Sequence, residues 1–335
     1  MNIKDQIIQS FSKWRHRSLD SLEALNSGSA SNRQYFKIED KGELIIATYN
    51  QDIRENEAFF YLADFFRTKG VQVPKVHYIS KDRNIYFQQY VGEECLLDQL
   101  KRDGLSPEVK RLYKESLAML VKMQTSVEGL DFSKCYPRPS FDTQSILWDL
   151  NYFKYYFLKV SGIEFDEQLL ENDFQFFAQY LSKNEEPYFM FRDFQARNIQ
   201  ILDGKPWLID FQGGRRGPLT YDVASLLYQS SADLSQEFRR ELIDFYFHQL
   251  PDHLNYSRKQ FDADFKNILL IRLVQVLGAY GYRGIIEGKP YFKNSIPNAL
   301  DNLQTLLLQL GDDVKVSYFL RILAELVQIK NKFEN

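Results

Sequence analysis

Between residues 188 and 214 the chain reads "YFMFRDFQARNIQILDGKPWLIDFQGG", short apolar pieces inside a sequence that otherwise has helical period from residue 107 to its end. Apolar residues recur at spacings of three and four over about 107 to 126, 142 to 160, 166 to 183, 222 to 231, 235 to 249, 258 to 280 and 315 to 333. The two apolar runs around "DGKP" predict a β-hairpin. A fold for this chain must therefore hold an isolated hairpin in a helical body. Just before the hairpin, Arg192, Asp193, Arg197 and Asn198 crowd between Phe191 and Ile199. Buried polar groups cost a few kcal/mol each unless paired, so the cluster is either a satisfied structural network or a site of chemistry.

The first ninety or so residues have a different texture. An amphipathic opening helix and "LEAL" lead through the loop "NSGSASN" to "RQYFKIED" and "GELIIATY", two β-rich runs joined at "DKG". Residues 52–70 then carry Ala58, Phe59, Leu62, Phe65 and Phe66 on one helical face, with Gly70 as the stop. "VQVPKVHYIS" and "NIYFQQYV" predict two more strands, and "VGEECLLDQL" a connector. The expected fold class is α+β. A small β-rich lobe, residues 1–91 with a hinge at about 88–92, precedes a large helical lobe, residues 92–335, that carries the hairpin.

Bulk properties exclude several functions. With 42 Lys and Arg against 45 Asp and Glu, the net charge of -3 gives no basic face for nucleic acid. Two cysteines, Cys95 and Cys135, make neither a disulfide framework nor a zinc site, and the four histidines have no metal-ligand spacing. The N-terminus lacks the uninterrupted apolar core of a signal peptide. "NILLIRLVQVLGAYGY" is cut by Arg272 and Gln275, well short of a clean membrane span. A cytoplasmic protein with reduced thiols is expected, with no nucleic-acid or membrane partner.

The chemistry follows from spacing. Asp193 and Asn198 stand five apart, and Asp210 closes the hairpin in "LIDF". Phosphoryl transfer from ATP demands positioning more than covalent work: a carboxylate at the attacking hydroxyl, and oxygen ligands for Mg2+ bridging the phosphates. Asp193 would accept or orient the hydroxyl proton, and Asn198 and Asp210 would hold the metal.

The run "FRDFQARNIQILDGKPWLIDFQGGRRGPLTYDVASLL" resembles the aminoglycoside phosphotransferase and choline kinase family, a branch of the protein-kinase-like fold. With "GSASNRQYFKI" upstream it is most similar to bacterial kinases of the anomeric hydroxyl of N-acetylmuramate and N-acetylglucosamine. The resemblance implies a two-lobed small-molecule kinase using ATP and Mg2+, with Asp193 as catalytic aspartate, Asn198 and Asp210 as metal ligands, and Asp222 bracing the catalytic loop. Read alone, Asp222 is an ordinary helix N-cap. Gly28, Ser29, Ser31 and Asn32 would lie over the phosphates, and the backbone of Gln89, Tyr90 and Val91 would read the adenine edge. Three positions depart from the pattern. Phe191 replaces the usual His or Tyr, leaving its brace to packing or to Arg192; Gln212 replaces a glycine; and Ala47 or Thr48 stands where protein kinases carry a lysine. Glu57, with Glu55 as the alternative, corresponds to the glutamate that pairs with that lysine.

Two features bear on the acceptor. Trp148, Asp149, Tyr152, Tyr155 and Tyr156 make an aromatic and acidic helical stripe suited to a sugar. Arg215 and Arg216, with Arg197, suit a neutral or anionic acceptor, since a polycationic one would want carboxylates, and Tyr282 and Arg283 in "GAYGYRG" would add a third wall. The reading is an amino-sugar kinase. A choline-like or aminoglycoside kinase and a catalytically silent binding module stay open.

Overall fold

The structure is a computed structural model and describes residues 2–25, 33–183, 186–310 and 316–333. Helix α1 (Ile3–Arg15) is capped by Asn2, whose side chain accepts from Asp5 N, and lays Ile7 and Phe11 on a five-stranded antiparallel sheet. The sheet order is β1 (Ser21–Leu25), β2 (Gln34–Asp40), β3 (Glu43–Tyr49), β5 (Ile85–Gln89), β4 (Val76–Ile79). The segment "LEAL" is thus a fifth strand, which the sequence reading did not count. Lys41 and Gly42 turn β2 into β3 with φ of 53° and 79°, the left-handed pair that a two-residue hairpin of this twist requires.

Strand alternation splits β3 between two faces. Ile45, Ala47 and Tyr49 join Phe36, Ile38, Ile85 and Phe87 beneath α1. Thr48 turns to the opposite face and accepts a hydrogen bond from Gln88 Nε2 at 3.1 Å. Helix α2 (Ile53–Thr68) sits on that side. Its Phe59 and Phe66 meet Phe211 at 5.2 Å and Phe189 at 4.6 Å between ring centroids, so the large core runs continuously from α2 into the helical body.

After β5 the chain bends at Gly92, whose φ is 105°. A Cβ there would stand 2.4 Å from the carbonyl oxygen of Ile201, so only glycine lets β6 (Glu94–Cys95) pair with β8 (Ile199–Leu202). β8 and β9 (Lys205–Leu208) form the predicted hairpin, turned by Asp203 and Gly204 with φ of 52° and 68°. A second small ladder joins β7 (Tyr188–Met190) to β10 (Arg215–Gly217).

Around these ladders pack α3 (Leu96–Asp103), α4 (Pro107–Thr125), α5 (Thr143–Phe153), α6 (Glu167–Leu181), α7 (Leu219–Leu227), α8 (Gln236–Gln249), α9 (Arg258–Tyr280), α10 (Ile296–Leu307) and α11 (Ser317–Gln328). α10 lies where the sequence reading left no helix. Pro297 hides it, yet proline is tolerated in a first turn, where its missing N–H has no partner to lose. The predicted helix over 222–231 begins and ends earlier. By length and composition α9 and its continuation to Ile286 are apolar enough to cross a membrane, contrary to the sequence expectation, but 67% of its apolar 18-residue window is buried inside the molecule. Its Arg272 is spent on Ser225 Oγ of α7 at 3.1 and 3.0 Å.

Candidate active site

The loop after β7 is held in an uncommon backbone conformation. Arg192 has φ of 83°, which costs a non-glycine residue about 1–3 kcal/mol and persists only where surroundings over-determine it. Asp222 supplies that determination: its carboxylate accepts from Phe191 N at 2.8 Å, Arg192 N at 2.9 Å and Gln124 Nε2 at 3.0 Å. It lies one turn inside α7, whose N-cap position is Pro218, so it braces the loop rather than capping a helix. Burial pushes the Asp222 carboxyl up to about 7 against the pull of these donors. Phe191 is wholly buried, edge-on to Phe194 at 5.3 Å and near Phe211 at 6.1 Å. Packing thus fills the place of the usual hydrogen-bonding residue. Gln229 Oε1 accepts from Ala196 N at 2.9 Å and fixes the far side of the loop.

This frame leaves the Asp193 side chain in solvent, with no hydrogen bond to its carboxylate among the described residues. Asn198 donates from Nδ2 to the Asp193 carbonyl at 2.8 Å, which orients its amide and leaves Oδ1 to ligate. Asp210, like Arg192, is a non-glycine residue with positive φ, 69°. Its Oδ1 accepts from Arg33 Nη2 at 2.7 Å and from Gln212 Nε2 at 2.9 Å. Burial alone would raise the Asp210 carboxyl, but the Arg33 guanidinium, with help from Gln212 and Arg197, holds it below the ordinary range. One amide and one carboxylate oxygen suit a hard divalent cation that keeps phosphate oxygens as further ligands. Among the described residues no group of three or more Asp, Glu, His or Cys gathers to hold a metal without them.

Beside Asp193 lies a nest of guanidinium groups. Arg192 pairs with Asp149 at 2.6 Å beneath the rings of Phe141 and Tyr221. Asp149 Oδ2 and Arg192 Nη1 are buried without a partner among the described residues. Arg215 is also buried, and both its hydrogen bonds go to the Gly213 carbonyl, at 3.1 and 3.0 Å. Burial, then the neighbouring Arg192, pushes it down to about 10.

The rest of the expected acceptor wall is divided. Trp148 is half exposed under Arg138, and Arg216 lies over Phe132. Tyr155 is exposed beside Lys154 and Lys159. Tyr152, Tyr156 and Tyr282 cluster with centroids 4.7 to 6.1 Å apart, and Arg283 pairs with Glu287 at 2.8 Å. The stripe read as one surface therefore splits into Asp149, turned to the catalytic loop, and tyrosines that pack on one another.

On the nucleotide side, Gly28, Ser29, Ser31 and Asn32 lie outside the described residues. Gln89 spends its N–H on the Lys75 carbonyl at 2.8 Å, and half-buried Tyr90 and buried Val91 follow the end of β5. The strand position facing this cleft is Thr48, not Ala47. Glu57, the expected pairing glutamate, is exposed and bound to Arg83; Glu55 instead stands 3.7 Å from Arg33. Arg33 and Gln212 both hold Asp210, and the sequence reading assigned neither a role. For Gln212 the departure from glycine was the available signal; for Arg33 there was only a cation next to the loop "NSGSASN".

Residues 21–257 match the Phosphotransferase enzyme family. The chain belongs to that family. Two curated relatives are both named N-acetylmuramate/N-acetylglucosamine kinase. One, from Neisseria meningitidis, is 25% identical over 246 residues, 70% of each chain; the other, from Pseudomonas putida, is 22% identical over 294 residues, 85% of this chain and 83% of that one. Among solved structures, a gentamicin complex of APH(2")-IIa superposes with a TM-score of 0.62 at 19% identity, covering 93% of this chain and 98% of that chain. A choline/ethanolamine kinase family protein from Mesorhizobium loti gives 0.60 at 14%, covering 96% and 99%. These likenesses carry the fold, a β-rich lobe on a mostly helical one. This member of the phosphotransferase enzyme family is a small-molecule kinase with a hydroxyl acceptor.

Proposed function

We propose that the chain transfers the γ-phosphoryl group of ATP to a hydroxyl of an amino sugar of the N-acetylmuramate or N-acetylglucosamine type, in the cytoplasm. The observation that carries this reading is Arg215: a buried guanidinium beside Asp193, satisfied among the described residues only by one carbonyl. A guanidinium fork prefers a planar oxyanion, and the partnerless Asp149 Oδ2 suits a donating hydroxyl or amide. A polycationic acceptor would meet like charge from Arg192 and Arg215. The names of the curated relatives support the same acceptor class.

In this reading Asp193 receives or orients the acceptor's hydroxyl proton, with Arg192 and Arg215 setting the charge around it. Asn198 and Asp210 would hold Mg2+, which, when bound, offsets charge on the transferring phosphates. The lobe of residues 1–91 would hold the nucleotide and the lobe of residues 92–335 the acceptor. The test is an ATP-consumption screen over N-acetylmuramate, N-acetylglucosamine, neutral sugars, choline and aminoglycosides. Turnover is expected on the N-acetylated sugars, falling about 10²–10⁴-fold in Asp193→Ala. Arg215→Met should raise KM for the carboxylated sugar more than for the neutral one. Turnover on aminoglycosides alone would end the sugar assignment, and no nucleotide binding at all would leave a silent binding module.

A further inference from the structure

Every strand residue that faces the nucleotide cleft on β3 lacks a cation: Leu44, Ile46 and Thr48 share that face. A kinase fold uses a lysine there to join the helix glutamate to the phosphates. Here the pairing glutamate and the metal carboxylate are nonetheless both engaged by one cation, which arrives from a different strand. Arg33, immediately before β2, lies 2.7 Å from Asp210 and 3.7 Å from Glu55, with its side chain 9% exposed. It is separated in sequence from Asp210 by 177 residues, so the contact spans the two lobes. Asn50 Nδ2 donates to Glu55 at 2.7 Å and fixes that carboxylate from the other side. A guanidinium this enclosed is costly unless several acceptors surround it. Asp210 and Glu55 do so, and they keep it charged despite its burial.

We propose that Arg33 is the phosphate-reading cation of this kinase, replacing the strand lysine by approaching the same point from the start of β2. The proposal rests on the kinase reading above. Its geometry has two consequences. Glu55 serves Arg33 as the helix glutamate serves the lysine, holding the guanidinium at the cleft when a metal draws on Asp210. Arg33 also immediately precedes β2, so the start of that strand is tied to the carboxylate that follows the hairpin.

The test separates phosphate reading from general support of the cleft. Calorimetry measures binding of Mg–ATP, of ADP and of adenosine, which has no phosphates, to the full chain and its variants. Arg33→Met is expected to weaken Mg–ATP and ADP binding at least tenfold and adenosine less than twofold, with Arg33→Lys recovering part of the loss. Glu55→Gln, which keeps size and the Asn50 contact, should weaken Mg–ATP by a smaller factor and spare adenosine; it serves also if Arg33→Met does not fold. Unchanged Mg–ATP binding in both Arg33→Met and Glu55→Gln overturns the proposal, as does an equal loss of adenosine. Wild-type protein that binds adenosine but no phosphate-bearing nucleotide would sink the kinase reading itself, whatever the variants do.

Discussion

Replacing Asp222 by asparagine removes one charge and one acceptor without changing shape. The carboxylate now takes three buried donors: Phe191 N and Gln124 Nε2 on Oδ2, and Arg192 N on Oδ1. Whichever way the new amide turns, its NH2 faces at least one of them. The better orientation keeps Phe191 and Gln124 and orphans the Arg192 N–H, which costs about 1–3 kcal/mol. Arg192 also loses what holds its φ at 83°, so the strain it stores is released by moving the loop that carries Asp193. We expect a stability loss of about 2–4 kcal/mol, read from denaturant midpoints at constant slope, and a fall in kcat larger than any rise in KM. The pH dependence has a fixed sign. The folded protein takes up a proton on Asp222 near pH 7, whereas the unfolded chain does so only at about 3.9. The stability that this proton adds is complete below the unfolded value and is lost as pH rises through about 7. Asparagine has no such term. The gap between wild type and variant should therefore widen as pH falls from 8 to 5. A variant within about 0.5 kcal/mol of wild type refutes the brace, and a gap that narrows on acidification refutes the raised Asp222 carboxyl.

Three further substitutions probe other parts of the frame. Gly92→Ala meets the Ile201 carbonyl at 2.4 Å on a backbone with φ of 105°; thermal and denaturant unfolding should show a loss of at least about 2 kcal/mol, and a neutral variant would mean that the β6–β8 ladder is not fixed there. Glu57→Gln breaks only an exposed pair with Arg83, so stability should change by less than about 0.5 kcal/mol and ATP KM not at all; a tenfold KM rise would restore Glu57 as the pairing glutamate in place of Glu55. Asp149→Leu strands the buried Arg192 guanidinium and should cost about 3–5 kcal/mol, while adding Arg192→Met to it should recover part of that; additive losses in the double variant would deny that the two side chains act as a pair.

Local signals in this chain were legible where the physics is local. "DKG" and "DGKP" were readable as turns because left-handed φ at Lys41, Gly42, Asp203 and Gly204 is a property of two residues at a time. Helices α4, α6 and α9 were readable from period alone, and Pro297 hid α10 because a proline near a helix start looks like a stop. The strand Ser21–Leu25, which contains "LEAL", escaped because it has no fully buried position; its partner β2 makes it a strand, and that pairing cannot be read from its own letters.

The candidate site divides along the same line. Asp193, Asn198 and Asp210 announce themselves by spacing, since one loop and one hairpin deliver all three. Arg33 does not, because its meaning depends on Glu55 and Asp210, which meet it only after the sheet has packed on the helical body. Nor could period decide the aromatic stripe. Spacing of three and four puts Trp148, Asp149, Tyr152, Tyr155 and Tyr156 near one face, but the helix gives way after Phe153 to a wider-wound stretch, Lys154–Leu158. Tyr155 stands against Lys154 and Lys159 and Tyr156 against Tyr282, while Asp149 reaches the catalytic loop through Arg192. A charge pattern fixes which atoms can do chemistry, while the packing of distant elements decides which cation stands next to them, and in this chain that cation is Arg33.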